Sequence, residues 1–420
     1  METKLAAFIK DTPDGMEAEG ILRKCVHCGF CAATCPTYQL LGDELDGPRG
    51  RIYLIKQVLE GAAATAKTQL HLDRCLTCRS CETTCPSGVH YSRLLDIGRS
   101  VVDQQVGRSA PAALQRAALR KVVPNAAVFG ALLKLGQLAR PLLPAALKQK
   151  IPANIALAKP WPQSTHARKM LVLEGCAQPS LSPATNAAAA RVLDRLGITL
   201  VRATETRGAG CCGAVSFHLN AQDEALDAMR RNIDAWWPHI ASGKQNVEAI
   251  VITASGCGVM VKDYAHALAR DPAYAEKAKR VSELACDISD IIISEKDKLL
   301  SLLSTVNSPR EKIAFHAPCT LQHGLKKKGS VEALLTQLGF TLTSVADAHL
   351  CCGSAGTYSI LQPDLSQQLR DNKIAALTHG KPQAILTANI GCQCHLQSAT
   401  ALPVRHWIEA LDDCLPTVTS

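Results

Sequence analysis

Cys25-Val26-His27-Cys28-Gly29-Phe30-Cys31-Ala32-Ala33-Thr34-Cys35-Pro36 reads C-x2-C-x2-C-x3-C-P, and Cys75-Leu76-Thr77-Cys78-Arg79-Ser80-Cys81-Glu82-Thr83-Thr84-Cys85-Pro86 repeats it position for position 50 residues later. Three thiolates at this spacing converge on one iron–sulfur cube, and the fourth reaches across to another. The motif thus assigns Cys25, Cys28, Cys31 and Cys85 to one [4Fe–4S] cluster and Cys75, Cys78, Cys81 and Cys35 to a second. Zinc knuckles would need neither the triplet nor the Cys-Pro step. Small residues such as Gly29, Ala32 and Ser80 let the backbone wrap closely.

A second set of cysteines recurs in order: Cys176, Cys211-Cys212-Gly213 and Cys257, then Cys319, Cys351-Cys352-Gly353 and Cys392. The intervals are 35 and 45 residues in the first copy and 32 and 40 in the second. A disulfide between neighbouring cysteines is strained, so a metal or redox role suits each pair better. Zinc, an iron–sulfur species and a dithiol/disulfide couple all remain open. Cys394, in Gly391-Cys392-Gln393-Cys394-His395, is a candidate extra ligand, whereas Cys286 and Cys414 read as structural. His316, His349 and His395 flank cysteines and read as hydrogen-bonding partners rather than ligands. Gly208-Ala209-Gly210-Cys211-Cys212-Gly213 matches a dinucleotide fingerprint in letters, but its last positions belong to the Cys pair and the second copy lacks the glycines.

The elements that must position these residues follow from periodicity. Residues 48–60 read as a helix between the twin motifs, with Pro48 at its start, Ile52, Ile55, Val58 and Leu59 on one face, and Gly61 as its stop. From about residue 167, β-rich runs at 170–174, 199–203, 249–253, 312–315, 341–345 and 384–387 alternate with helical stretches at 185–196, 223–240, 331–338 and 365–377. Such alternation predicts parallel α/β units, with the cysteines at the carboxyl ends of the strands. The expected architecture is α+β and multidomain: an α-helical cluster domain over 1–103, a basic helical connector over 104–166, and duplicated α/β halves with parallel sheets over 167–305 and 306–420.

At 420 residues with 19 Cys, the chain is no small disulfide scaffold. Its N-terminus has too short an apolar run for a signal peptide, which predicts a reducing, cytoplasmic setting. The 70 residues between Asp103 and Glu174 contain no acid, and Arg108, Arg116, Arg120, Lys121, Lys134, Arg140, Lys148, Lys150, Lys159, Arg168 and Lys169 give this segment +11 against +9 for the whole chain. It is either a solvated connector or a surface for anionic lipid or an acidic subunit. Aromatic residues are only 4% and no stacking motif accompanies the charge, so nucleic acid is not expected.

The twin motif followed by two Cys…Cys-Cys-Gly…Cys halves resembles the CCG-domain iron–sulfur proteins. Within them, Cys28-Gly29-Phe30-Cys31 through Cys35-Pro36-Thr37-Tyr38, the run from Gly42 to Tyr53, and Ala254-Ser255-Gly256-Cys257-Gly258 are similar to the iron–sulfur subunits of glycolate oxidase. The resemblance implies an electron-transfer subunit, inactive alone, that serves FAD-binding partner subunits oxidising glycolate to glyoxylate and passes electrons towards a membrane quinone. It implies two [4Fe–4S] clusters, no FAD or NAD on this chain, and a peripheral place on the cytoplasmic face of the inner membrane. The halves end in G-C-G and G-C-Q-C rather than C-x-x-C, which argues for two clusters rather than four. Alternatives are the same role with D-lactate or glycerol 3-phosphate, or a heterodisulfide-reductase-like thiol enzyme.

Overall fold

The computed structural model describes residues 1–144, 148, 151–203, 208–241, 247–304 and 310–416. Lys150 and the boundary expected between 305 and 306 lie outside them. The first module is all helical. Helix α1 (Pro13–Lys24) is capped by Thr12, α2 (Pro48–Leu59) carries Pro48 in its first turn, and α3 (Ala66–Asp73) and α4 (Tyr91–Val106) complete the frame. Ile52, Ile55, Val58 and Leu59 of α2 pack with Leu94, Leu95 and Val102 of α4 in one core. The α2–α4 approach is close enough that a Cβ on Gly98 would meet Ile55 at 2.6 Å. A rigid brace therefore stands between the two cysteine loops.

The basic connector forms α5 (Ala110–Val122) and α6 (Ala126–Ala139), interrupted at Pro124. Neither has a fully buried residue, and Leu135, Leu138 and Leu142 are 61%, 80% and 91% exposed. No single helix among the described residues is long and apolar enough to cross a membrane. The pair Ala110–Val122 and Ala126–Leu142 passes that test only together and bends by 108°.

Two four-stranded parallel sheets follow, with strand orders β2-β1-β3-β4 and β6-β5-β7-β8. The first comprises β1 (Arg168–Val172), β2 (Ile198–Val201), β3 (Val247–Ile252) and β4 (Ala285–Asp287). The second comprises β5 (Lys312–His316), β6 (Thr341–Leu342), β7 (Ala384–Thr387) and β8 (Val404–His406). Sequence periodicity misses β4 and β8, which have only three residues each and so show little alternation. It also overextends β6, which pairs with β5 through only two residues. The two sheets share a core: Met170, Val172 and Val251 of the first half and Ile313, Phe315 and Leu386 of the second belong to one buried cluster. Across this seam Ser255 N–H donates to Ala388 O at 3.1 Å and Gly256 N–H to Asn389 Oδ1 at 3.1 Å, so the two cysteine-bearing loop clusters face each other.

Candidate metal centres

The twin loops share one backbone shape. His27 and Thr77 have φ of 56° and 53°, and Gly29 and Arg79 have 85° and 61°, at equivalent positions. Left-handed backbone costs a non-glycine residue roughly 1–2 kcal/mol. At Arg79 the guanidinium is engaged elsewhere, with Asp263 of the first α/β half at 2.8 Å. At Gly29 a Cβ would lie 2.8 Å from Arg49 Nη1, the end of a half-exposed side chain that can move aside.

Cys25, Cys28, Cys31 and Cys85 line one cavity, of about 430 Å³. Cys35, Cys75, Cys78 and Cys81 line a neighbouring one, of about 360 Å³. The wall between them consists of Pro48, Cys81 and Tyr91, which border both. The first cavity is the more open, with Cys28 exposed. Burial pushes the Cys31 thiol up to about 11 and raises Cys78 and Cys81 strongly, and neighbouring sulfurs add to each effect. Thiolates gathered this closely in a largely buried place need a cation to be stable.

The donor set fits an iron–sulfur cube in each cavity. With the shared Cys81 counted to the second cavity, each offers four sulfurs, the ligand number such clusters take. Tyr91, buried on the wall shared by both cavities, carries its hydroxyl beside Cys75, so one donor is available to the sulfurs. Arg51 lies beneath the second cavity, 1% exposed, and donates to Thr37 Oγ1 at 3.1 Å and His71 O at 2.7 Å. Burial works against its charge, but Cys75, Tyr91, Cys35 and Asp46 outweigh that and hold its pKa up. Such a buried cation offsets negative charge gathered on the sulfurs.

Each α/β half strings four thiols together. In the first, Cys211 neighbours Cys176 and Cys212, and Cys212 neighbours Cys257, close enough for each to shift the others' ionisation. Cys176 and Cys212 beside it, with the Gly213 N–H, hold the Cys211 thiol well below the ordinary thiol value. In the second, Cys319 Sγ lies 3.8 Å from Cys351 Sγ, and Cys352 bonds both Cys351 and Cys392. The glycine after each pair is required by the backbone. Gly213 and Gly353 have φ of 92° and 87°, and a Cβ on either would crowd the carbonyl of Ala225 or Ser366. Gly210 N–H, within the fingerprint-like run, donates to Asn232 Oδ1 at 2.9 Å.

Cys394 is half-buried on the helix Ile390–Gln397, and burial pushes its thiol up to about 12. It is not in the donor group found in this half among the described residues, which is His316, Cys352 and Cys392. Cys286 on β4 and Cys414 pack against the shared core. His349 offers its carbonyl to His323 Nε2 at 3.0 Å, and His395 Nε2 lies 3.2 Å from Ser366 Oγ. His316 departs from the expectation for these histidines, because its buried Nε2 has no hydrogen-bond partner. Comparing the halves exposes the signal: three residues before the first cysteine, the first half has Leu173 and the second His316.

The second half also touches the twin-loop module. Leu76 packs with Cys351, Tyr358, Leu365 and Leu369, and Cys78 and Cys319 join that cluster. Tyr358 Oη donates to Arg74 O at 3.1 Å, and Thr83 Oγ1 lies 2.8 Å from His323 Nδ1. The second cavity is thus adjacent to the thiols of the second half.

Residues 21–89 match the family model of a 4Fe-4S dicluster domain, and residues 170–262 and 313–397 match that of the cysteine-rich CCG domain. The glycolate oxidase iron-sulfur subunit of Escherichia coli (strain K12) is 59% identical over 415 residues, covering 99% of either chain. The probable glycolate oxidase iron-sulfur subunit of Bacillus subtilis (strain 168) is 28% identical, over 89% of this chain and 88% of its own length. Lactate utilization protein A of Bacillus licheniformis is 26% identical over 49% of this chain and 80% of that protein.

Proposed function

The chain belongs to the family of glycolate oxidase iron–sulfur subunits, and from that premise we propose that it is the electron relay of a glycolate-oxidising complex. The observation that carries this reading is the pair of adjoining four-cysteine cavities separated by Cys81, Tyr91 and Pro48. In it, Cys25, Cys28, Cys31 and Cys85 hold one [4Fe–4S] cluster and Cys75, Cys78, Cys81 and Cys35 hold the other. Bound there, the cubes supply one-electron carriers. Oxidation of glycolate to glyoxylate releases two electrons and two protons; FAD-binding partner subunits take both electrons, and these leave one at a time through this chain towards a membrane quinone. The modules at 1–103, 104–166, 167–305 and 306–420 divide the work into relay, docking segment and two thiol-bearing halves.

The residues of this chain set the geometry of that relay. Tyr91 presents its hydroxyl to Cys75, Arg51 offsets charge from below, and α2 fixes the spacing of the loops. The rim of the open cavity carries Val26 and Phe30, 68% and 63% exposed, which supports docking of a flavoprotein there. The acid-free connector, with exposed leucines on α6, supports peripheral attachment to anionic lipid on the cytoplasmic face of the inner membrane. Glycolate is favoured over D-lactate because likeness to the glycolate oxidase subunits is the greater and spans more of the chain.

Anaerobic purification of the native complex tests this. About eight irons with matching acid-labile sulfide are expected in the twin-loop module, and Cys85→Ser should remove about four of them. Phe30→Glu should uncouple glycolate-dependent quinone reduction while leaving the iron in place. Zinc in those cavities without labile sulfide would refute the reading.

A further inference from the structure

The second α/β half contains a donor group that its first-half counterpart lacks. A ring nitrogen of His316 and the sulfurs of Cys352 and Cys392 all lie within 4.8 Å of one another. All three residues are buried, at 2%, 1% and 5% exposure. His316 Nε2 is shut away from water with no partner, and an orphaned buried imidazole nitrogen costs roughly 1–3 kcal/mol unless something binds it. The surrounding bonds hold the donors in place. Thr387 Oγ1 donates to the His316 carbonyl at 3.0 Å, and Asn389 Nδ2 donates to Cys392 Sγ at 3.5 Å.

We propose that His316, Cys352 and Cys392 bind a single zinc-class divalent ion. Two thiolates and a neutral imidazole fill three of zinc's four tetrahedral positions, as in open Cys2His sites, and the two thiolate charges balance the ion's two positive ones. The three donors come from the end of β5, the Cys-Cys-Gly loop and the helix after β7, so a bound ion ties together three crossings of one sheet. In the first half Leu173 stands where His316 does and is itself buried in an apolar cluster. That half offers sulfur alone. This assignment stands apart from the electron-transfer reading, since it uses none of the twin-loop cysteines.

The test is metal analysis of the full chain purified anaerobically with its clusters. About one zinc per chain is expected beyond the cluster iron. His316→Leu, which installs the residue the first half already uses, should lower zinc occupancy or affinity by about 100-fold while leaving iron unchanged. Cys392→Ser should do the same, and Cys257→Ser should keep the zinc. After zinc is exchanged for cobalt, visible d–d bands of a tetrahedral ion with a thiolate charge-transfer band should be present in the parent chain and absent in His316→Leu. If His316→Leu folds poorly, as judged by its iron content, His316→Gln takes its place in both measurements. No zinc, zinc indifferent to residue 316, or extra iron and labile sulfide dependent on Cys392 would each overturn the proposal.

Discussion

The two α/β halves carry the same cysteine order on the same sheet topology, yet their thiols live in different surroundings. In the first half Asn232 donates to Cys211 O at 3.0 Å and to Tyr264 Oη at 2.9 Å, and Tyr264 Oη donates in turn to Cys212 O at 2.9 Å, which locks the loop through neutral groups. In the second, Lys373 replaces Asn232, seven residues beyond the helix carbonyl that the glycine contacts, and His316 replaces Leu173. The second half also packs Cys319 and Cys351 against Leu76 and Cys78. What the duplication retains is backbone: a left-handed glycine against a helix carbonyl. What it changes is the charge and ligand chemistry around the sulfurs.

The comparison breaks first at the glycines. Gly353→Ala should cost about 4 kcal/mol, because left-handed strain combines with a Cβ only 2.5 Å from Ser366 O. Gly213→Ala, with 3.0 Å to Ala225 O, should cost about 2 kcal/mol. Urea unfolding of the two variants checks the order, and equal losses would mean that the closer Cβ approach at Gly353 does not set the cost.

A second contrast is in pH. Asp287 ends β4 and caps the next helix, and His406 ends β8 and caps the last one. Burial pushes the Asp287 carboxyl up to about 6 and the His406 imidazole down to about 4. The Asp287 cost is therefore fully present above about pH 6 and relieved as pH falls towards 4. The His406 contribution is fully present above the ordinary histidine value near 6.5 and lost as pH falls towards 4. Asp287→Asn should gain stability relative to the parent as pH rises from 4 to 6, and His406→Gln should gain as pH falls over that window. Each shift over that window should reach about 2 kcal/mol. Stability measured across pH 4–7 for both variants reads the opposed slopes, and parallel slopes would refute the assignment.

The smallest contrast concerns how each half docks on the twin-loop module. Asp263 holds both Arg79, at 2.8 Å, and Arg93, at 3.0 Å, in partly buried pairs. Asp263→Ala should cost about 2 kcal/mol, since it strands two arginines. Tyr358→Phe removes one hydrogen bond to Arg74 O and should cost about 1 kcal/mol. Limited proteolysis and melting temperature rank the two, and a larger loss in Tyr358→Phe would shift the main anchor to the second half.

Much of this was legible in the chain. The twin spacing identified the cluster loops, because ligand geometry is local and is written as intervals. The α2 helix was legible from Pro48 and its apolar face, and six strands from short β-rich runs. The strands β4 and β8 were not, because three residues show no periodicity and their pairing partners lie far along the chain. His316 reads as an ordinary hydrogen-bonding histidine in sequence, which shows a residue type but not whether its nitrogens find partners.

By itself, then, the sequence determined which residues are ligand-like, how often the unit repeats, and where acids are withheld, since these are matters of composition and interval. Only the tertiary structure decided that Cys78 meets Cys319 and that His316 is left unpaired beside Cys352 and Cys392. Those facts depend on packing between segments as far as 241 residues apart, where burial and partner geometry arise from the whole fold and no local interval records them.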